Sequence, residues 1–179
     1  NYPLKDGELA AGGAAEQAAS GLAAKVLEIS QAREGYALVL GLEKGQLVRQ
    51  LLQQTPLLVL AVDPDQRLID QLRRELATEG VYDRRFQALV ADPAGVDLPP
   101  YLANLMTSES EAVAVKLNAG KLYSSLRPYG GVAVMPAAPL EDAEGQFKVH
   151  DGLKVARRDG PLPGTDQWTH ETANAARDY

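Results

Sequence analysis

One acid and two glycines in the first half of the chain have the types and spacing for ligand chemistry. Gly41-Leu42-Glu43-Lys44-Gly45 follows the apolar run Tyr36–Leu40; Asp63 closes a second run, Leu57–Val62; Asp92 follows a third, Phe86–Ala91. A glycine turn after one strand lets backbone approach a ligand closely, and an acid ending the next strand can accept hydrogen bonds from ribose hydroxyls. Such groups meet at the carboxyl edge of a parallel sheet, where nucleotide-type ligands bind.

Other candidates have plainer explanations. Asp63-Pro64-Asp65 has the D-x-D form of a metal-binding pair, but a strand-end acid followed by a helix-capping Asp accounts for the same letters. Asp97-Leu98-Pro99-Pro100-Tyr101 reads as a proline-stiffened loop. The two histidines, His150 and His170, have no partner at ligand spacing, and cysteine is absent, so no metal site is expected. There is no Gly-x-Ser-x-Gly elbow, and Ser124-Ser125 have no base in sight, so no catalytic residue stands out.

The elements that would position these groups alternate. Ala14–Arg33 carries Leu22, Val26 and Ile29 on one stripe and predicts a helix with Gly35 as its stop. Tyr36–Leu40 is a strand covered on both faces, and from Gly45 to Gln54 an apolar face predicts a helix. Leu57–Val62 is the second strand. Pro64 suits the first position of a helix with Leu68, Ile69, Leu72 and Leu76 at helical spacing, stopped by Gly80. Phe86–Ala91 and Tyr101–Met106 supply two more strands. Ser108-Glu109-Ser110-Glu111 has the form of a capping box ahead of a helix carrying Val115, Ala119, Leu122 and Leu126. Arg127–Gly131 turns the chain into a fifth strand, Val132–Met135. Beyond Pro136, Phe147–Val149 and Leu153–Ala156 predict a hairpin across His150-Asp151-Gly152.

This order predicts an α/β domain, Rossmann-like and doubly wound, with a mainly parallel sheet and right-handed crossovers. Its last strands are reduced to the small hairpin or missing. The expected boundaries are a loose segment over 1–13, the α/β domain over 14–160, and a linker or tail over 161–179. At 179 residues one such domain is the natural count. A net charge of −6 with scattered basic pairs excludes a basic nucleic-acid face, and no apolar stretch approaches a membrane span.

From about Ala14 to Met135 the motif order resembles the class I S-adenosylmethionine-dependent methyltransferases. The resemblance implies cofactor contacts from Gly41, Glu43 and Gly45 in the glycine loop. It makes Asp63 the ribose acid and Asp92 the acid facing the adenine amino group. Leu126-Arg127-Pro128-Tyr129-Gly130-Gly131 is similar to the family's turn into its fifth strand, with a tyrosine inserted. Two positions depart from the pattern: Val39 stands where the family has an acid for the methionine amino group, and Glu43 where it has a middle glycine. Losing one charge-assisted bond costs about 1.5–3 kcal/mol, so the resemblance implies S-adenosylmethionine binding that is weak or lost.

A second, narrower resemblance lies at Gly164-Thr165-Asp166-Gln167-Trp168-Thr169-His170-Glu171. It is similar to the lead-in to pyrroloquinoline-quinone-type, quinoprotein-like β-propellers of bacteria, some of which carry a methyltransferase-like domain upstream. This implies a β-propeller partner in the same chain and an exported, periplasmic location; an active methyltransferase would instead be cytoplasmic. Three functions are weighed: a methyltransferase with a degenerate loop, a non-catalytic scaffold for a propeller, and a dinucleotide-dependent oxidoreductase. The last requires Gly-x-Gly-x-x-Gly, which Gly41–Gly45 does not supply.

Overall fold

The computed structural model describes residues 14–161 apart from 83, 137–139, 141 and 143, with side chains from residue 20 onward. The expectations for 1–13 and for 162–179, Trp168 and His170 included, lie outside the described residues. Helices α1 (Ala14–Ser30), α2 (Gln46–Gln54), α3 (Gln66–Thr78), α4 (Glu111–Ala114) and α5 (Ala119–Ser125) alternate with strands β1 (Tyr36–Leu40), β2 (Leu58–Asp63), β3 (Phe86–Val90), β4 (Leu105–Thr107) and β5 (Gly131–Pro136). Then β6 (Lys148–His150) and β7 (Leu153–Arg158) follow. They form one sheet in the order β3-β2-β1-β4-β5-β7-β6. β1 to β5 run parallel, and β7 lies antiparallel between β5 and β6.

The sheet is apolar on both faces, and the strand alternation sorts the core. Ala37 and Val39 of β1 point to the face covered by α1, α2 and α3, against Leu47, Leu51, Ile69 and Leu72. Leu38 and Leu40 point to the opposite face, with Met106, Leu122 and Leu126. Each such leucine contributes about 1.5–3 kcal/mol by leaving water, which is why both strand faces read as continuous apolar runs. Val39 is fully buried in the first cluster.

Helix ends follow their chemistry, with corrections to the expected boundaries. Gln66, not Pro64, takes the first position of α3, and Asp65 is its N-cap, with a carboxylate that accepts from Arg67 N and Leu68 N. At the other end Gly80 N donates to Ala77 O and Val81 N to Leu76 O, the paired bonds of a Schellman stop. α1 ends at Ser30, and Gln31, at φ 56°, takes the left-handed position ahead of Gly35. The helix expected after Ser108 is two short helices, α4 and α5, with Asn118 capping Lys121 N of the second. β4 is shorter than the apolar run Tyr101–Met106, because the orphan carbonyls ending α5 capture its first half. Tyr101 N donates to Ser124 O and Ala103 N to Ser125 O. The 91–104 connection carries no helix, so Leu89 of edge strand β3 stays 44% exposed.

The hairpin forms where Asp-Gly was expected to turn. His150 pairs with Leu153 across Asp151-Gly152, both at positive φ (48° and 75°), a two-residue turn matched to strand twist. It joins the main sheet, because β7 pairs along the whole of β5.

Two arginines hold helix C-termini. Arg85 donates to Leu52 O, Thr55 O and Leu57 O at the end of α2, and burial draws its pKa below the ordinary arginine value. Arg158, 9% exposed, donates to Tyr123 O and Ser124 O at the end of α5 and lies between the rings of Tyr101 and Tyr123, 4.7 and 5.2 Å from their centroids. Arg158→Met keeps most of the packing and removes the cap. It is expected to lower stability by about 2 kcal/mol, read from urea unfolding, with the loss concentrated in charge-assisted bonds to carbonyls.

Candidate functional site

The parallel register brings the loops after β1, β2, β3 and β4 to one edge. Leu40 is level with Val62, Asp63 with Val90, and Val39 with Thr107. Gly41, Glu43, Gly45 and Asp63 therefore lie together, and Asp92 stands on the next loop along, two residues past β3.

The glycine loop needs its glycines. Gly41 and Gly45 have φ of 84° and 71°, in the left-handed region that side chains rarely adopt. Both are also crowded: a β-carbon on Gly41 would fall 2.6 Å from Cβ of Val113, and one on Gly45 2.6 Å from Cδ1 of Leu72. Gly45 is also the N-cap of α2, with no side chain to bond the first turn. Glu43 is exposed.

Asp63 is 4% exposed and engaged on both oxygens. Its Oδ2 accepts from Leu42 N at 2.7 Å and its Oδ1 from Asp65 N at 2.8 Å. One carboxylate thus ties the glycine loop to the start of α3. Asp92 is exposed, and its Oδ1 accepts from Ala94 N at 3.1 Å, the start of a local turn.

The residue that sequence reasoning missed is Glu109. Its Oε2 accepts from Glu43 N (3.1 Å) and Gly45 N (2.9 Å), and its Oε1 from Gln46 N (3.0 Å) and Leu47 N (3.3 Å). Its own N–H donates to Gly41 O at 3.1 Å. The open donors of a helix N-terminus are an anion site by electrostatics, and here the chain's own carboxylate fills it. The apparent capping box is something else. The Ser108 hydroxyl accepts from Ser110 N at 3.1 Å and donates to Ser110 O at 2.9 Å, a closed turn that sends Glu109 across to the loop. Ser110 is the N-cap of α4, and its side chain makes no cap bond. The signal that could have found Glu109 is that it is the first acid in that motif, two residues past β4, the strand paired with β1.

Val113 of α4 completes the cover over Gly41. Four cavities lined by described residues lie elsewhere, one of about 760 Å³ between α1 and the β6–β7 hairpin. None of the four is lined by Gly41, Glu43, Gly45, Asp63 or Asp92. No group of three His, Asp or Glu side chains that could hold a metal occurs among the described residues. His150 is exposed beside Asp151. No described helix is long and apolar enough to cross a membrane.

This architecture, seven strands with the last inserted antiparallel before the sixth, is the Rossmann-like fold of the class I methyltransferases. Solved structures agree. An RNA methyltransferase from Salinibacter ruber, in complex with S-adenosylhomocysteine, superposes with a TM-score of 0.58 at 19% identity, covering 81% of this chain and 95% of that one. S-adenosylmethionine-dependent methyltransferases from Thiobacillus denitrificans and Geobacter sulfurreducens, both with S-adenosylhomocysteine, give TM-scores of 0.53 and 0.52. Each is 20% identical and covers 66% of this chain and 47% of its own. The chain spans 57%, 48% and 44% of three other matched proteins, about half their length. At these identities the likeness is one of fold. No protein-family model matches the chain, and no curated protein matches its sequence.

Proposed function

We propose that this chain is a methyltransferase-type domain whose S-adenosylmethionine cleft is degenerate, and that it serves as a non-catalytic scaffold within a larger protein. The carrying observation is the Glu109 carboxylate seated on four N–H groups of the glycine loop and first turn of α2. A cofactor carboxylate seeking those donors finds them taken. Three further features support the reading. Val39 is a core residue on a helix-covered face and offers no charge to an amino group. Glu43 adds a side chain at the loop tip. Each oxygen of Asp63 already accepts one backbone N–H, so about half of its acceptor capacity is spent within the chain.

Calorimetry with S-adenosylhomocysteine tests this. The expected result is no saturable heat up to millimolar ligand. Micromolar binding abolished by Asp92→Ala would overturn it and restore the methyltransferase reading, with Gly41, Glu43, Gly45, Asp63 and Asp92 as the cofactor set. The same fold at 95% coverage of a methyltransferase holding S-adenosylhomocysteine keeps that second reading in view.

The larger protein is proposed on the resemblance of Gly164–Glu171 to the lead-in of a quinoprotein-like β-propeller, which carries with it an exported location. Reading the open reading frame past Tyr179 decides it: propeller repeats support the context, and a stop codon ends it.

A further inference from the structure

We propose that Ser108–Ala114 is an intramolecular plug, latched onto the glycine loop by Glu109, and that this latch adds to the closure of the degenerate cleft beneath it. The inference rests on the reading of this edge as a cofactor cleft.

The plug touches the loop at two places. Glu109 supplies the polar contact, with four N–H groups on its carboxylate and its own N–H on Gly41 O. Val113 supplies the apolar one, its side chain resting on Gly41. Between them the backbone is a self-contained turn, with Ser108 and Ser110 bonded to each other, followed by a four-residue helix with no side-chain cap. Glu109 is half-buried, and Val115, just beyond, is exposed. Ser108, Ser110 and Ala114 are buried and keep the base of the segment packed, so the movable part is the Glu109 side chain with Val113 over the loop. Beneath it the loop keeps the left-handed glycines and the buried Asp63.

The latch and an external anionic group compete for the same donors, so only one can be bound. Apparent affinity for a ligand is then divided by the fraction of molecules that are open. Removing Glu109 raises that fraction and should raise affinity, whereas a cap with a purely structural role would lower stability and leave affinity unmoved.

The test compares the wild-type chain with Glu109→Ala, Glu109→Gln and the double variant Glu109→Ala, Val113→Ala. Hydrogen exchange reads the latch directly. The amides of Glu43, Gly45, Gln46 and Leu47 are expected to exchange at least about tenfold faster in the variants. Calorimetry with S-adenosylhomocysteine reads the cleft, where the double variant is expected to bind at least about tenfold tighter than wild type. Unchanged exchange in both Glu109→Ala and Glu109→Gln overturns the plug, as does wild type binding as tightly as the double variant. Faster exchange without any binding overturns the proposal together with the cofactor reading it rests on, and leaves Glu109 as a tie within the loop alone. Unchanged exchange overturns the latch without touching that reading. Glu109→Gln keeps side-chain shape, so the exchange readout survives if Glu109→Ala fails to fold.

Discussion

Asp63→Ala is expected to destabilise the ligand-free chain by about 3 kcal/mol, lowering its Tm by roughly 6–12 °C. The reason lies in what the carboxylate bonds. Leu42 N and Asp65 N, on two different loops, both donate to it at 2.7–2.8 Å in a position 4% exposed. Alanine leaves both donors without a partner where water has poor access, and each loses a bond to a charged acceptor. Asp63→Asn retains one acceptor and is expected to cost about half as much. Urea unfolding of the two variants without ligand separates this account from its rival. An acid kept only to hold ribose hydroxyls would be neutral in the free chain, so a change under about 0.5 kcal/mol would sink the structural role.

Much of the fold was legible because its signals are local and redundant. The apolar runs at Tyr36–Leu40, Leu57–Val62 and Phe86–Ala91 read as strands and all three form, although edge strand β3 leaves Gln87 and Leu89 exposed. Asp151-Gly152 supplied the two left-handed residues that a tight hairpin requires. What was not legible depends on partners distant in sequence. Tyr101–Ala103 is as apolar as a strand, yet the open carbonyls of α5 take its N–H groups. Local composition says nothing about that competition. The pairing of β7 with β5 is likewise a contact between segments that each read as sufficient alone.

The site divides in the same way. Gly41, Gly45 and Asp63 could be placed at one edge from the strand–turn–helix–strand order, and they lie there. Asp92 reaches the same edge but spends an oxygen on Ala94 N. Glu109 escaped because Ser108-Glu109-Ser110-Glu111 satisfies a helix-capping pattern by its letters alone. In the folded chain Ser108 bonds Ser110, and Glu109 reaches more than sixty residues back along the sequence. Val39 and Glu109 are therefore better judged together than singly. Val39 places no charge beneath the loop, and Glu109 places one above it.

Gly131→Ala is expected to be as damaging as the loss of Asp63, about 3 kcal/mol, and to do so through backbone alone. Gly131 opens β5 at the end of the Arg127–Gly130 turn, and an added β-carbon would lie 2.6 Å from Arg127 O, 2.7 Å from Arg127 N and 2.9 Å from Ala103 O. None of these atoms can swing aside as a side chain would. Arg127 N is donating to Ala103 O at 2.9 Å, and Gly131 N to Arg127 O at 3.1 Å, so the methyl would wedge apart two existing bonds. Its neighbour Gly130 is the control. There the backbone sits at φ 112° but a β-carbon meets nothing within 4 Å, so Gly130→Ala carries only conformational strain, about 1–2 kcal/mol. Thermal or urea unfolding should therefore rank Gly131→Ala well below Gly130→Ala. The reverse order would mean that the turn yields more easily than its hydrogen bonds imply, and that β5 is not pinned to β4 where the paired Val132–Leu105 register places it.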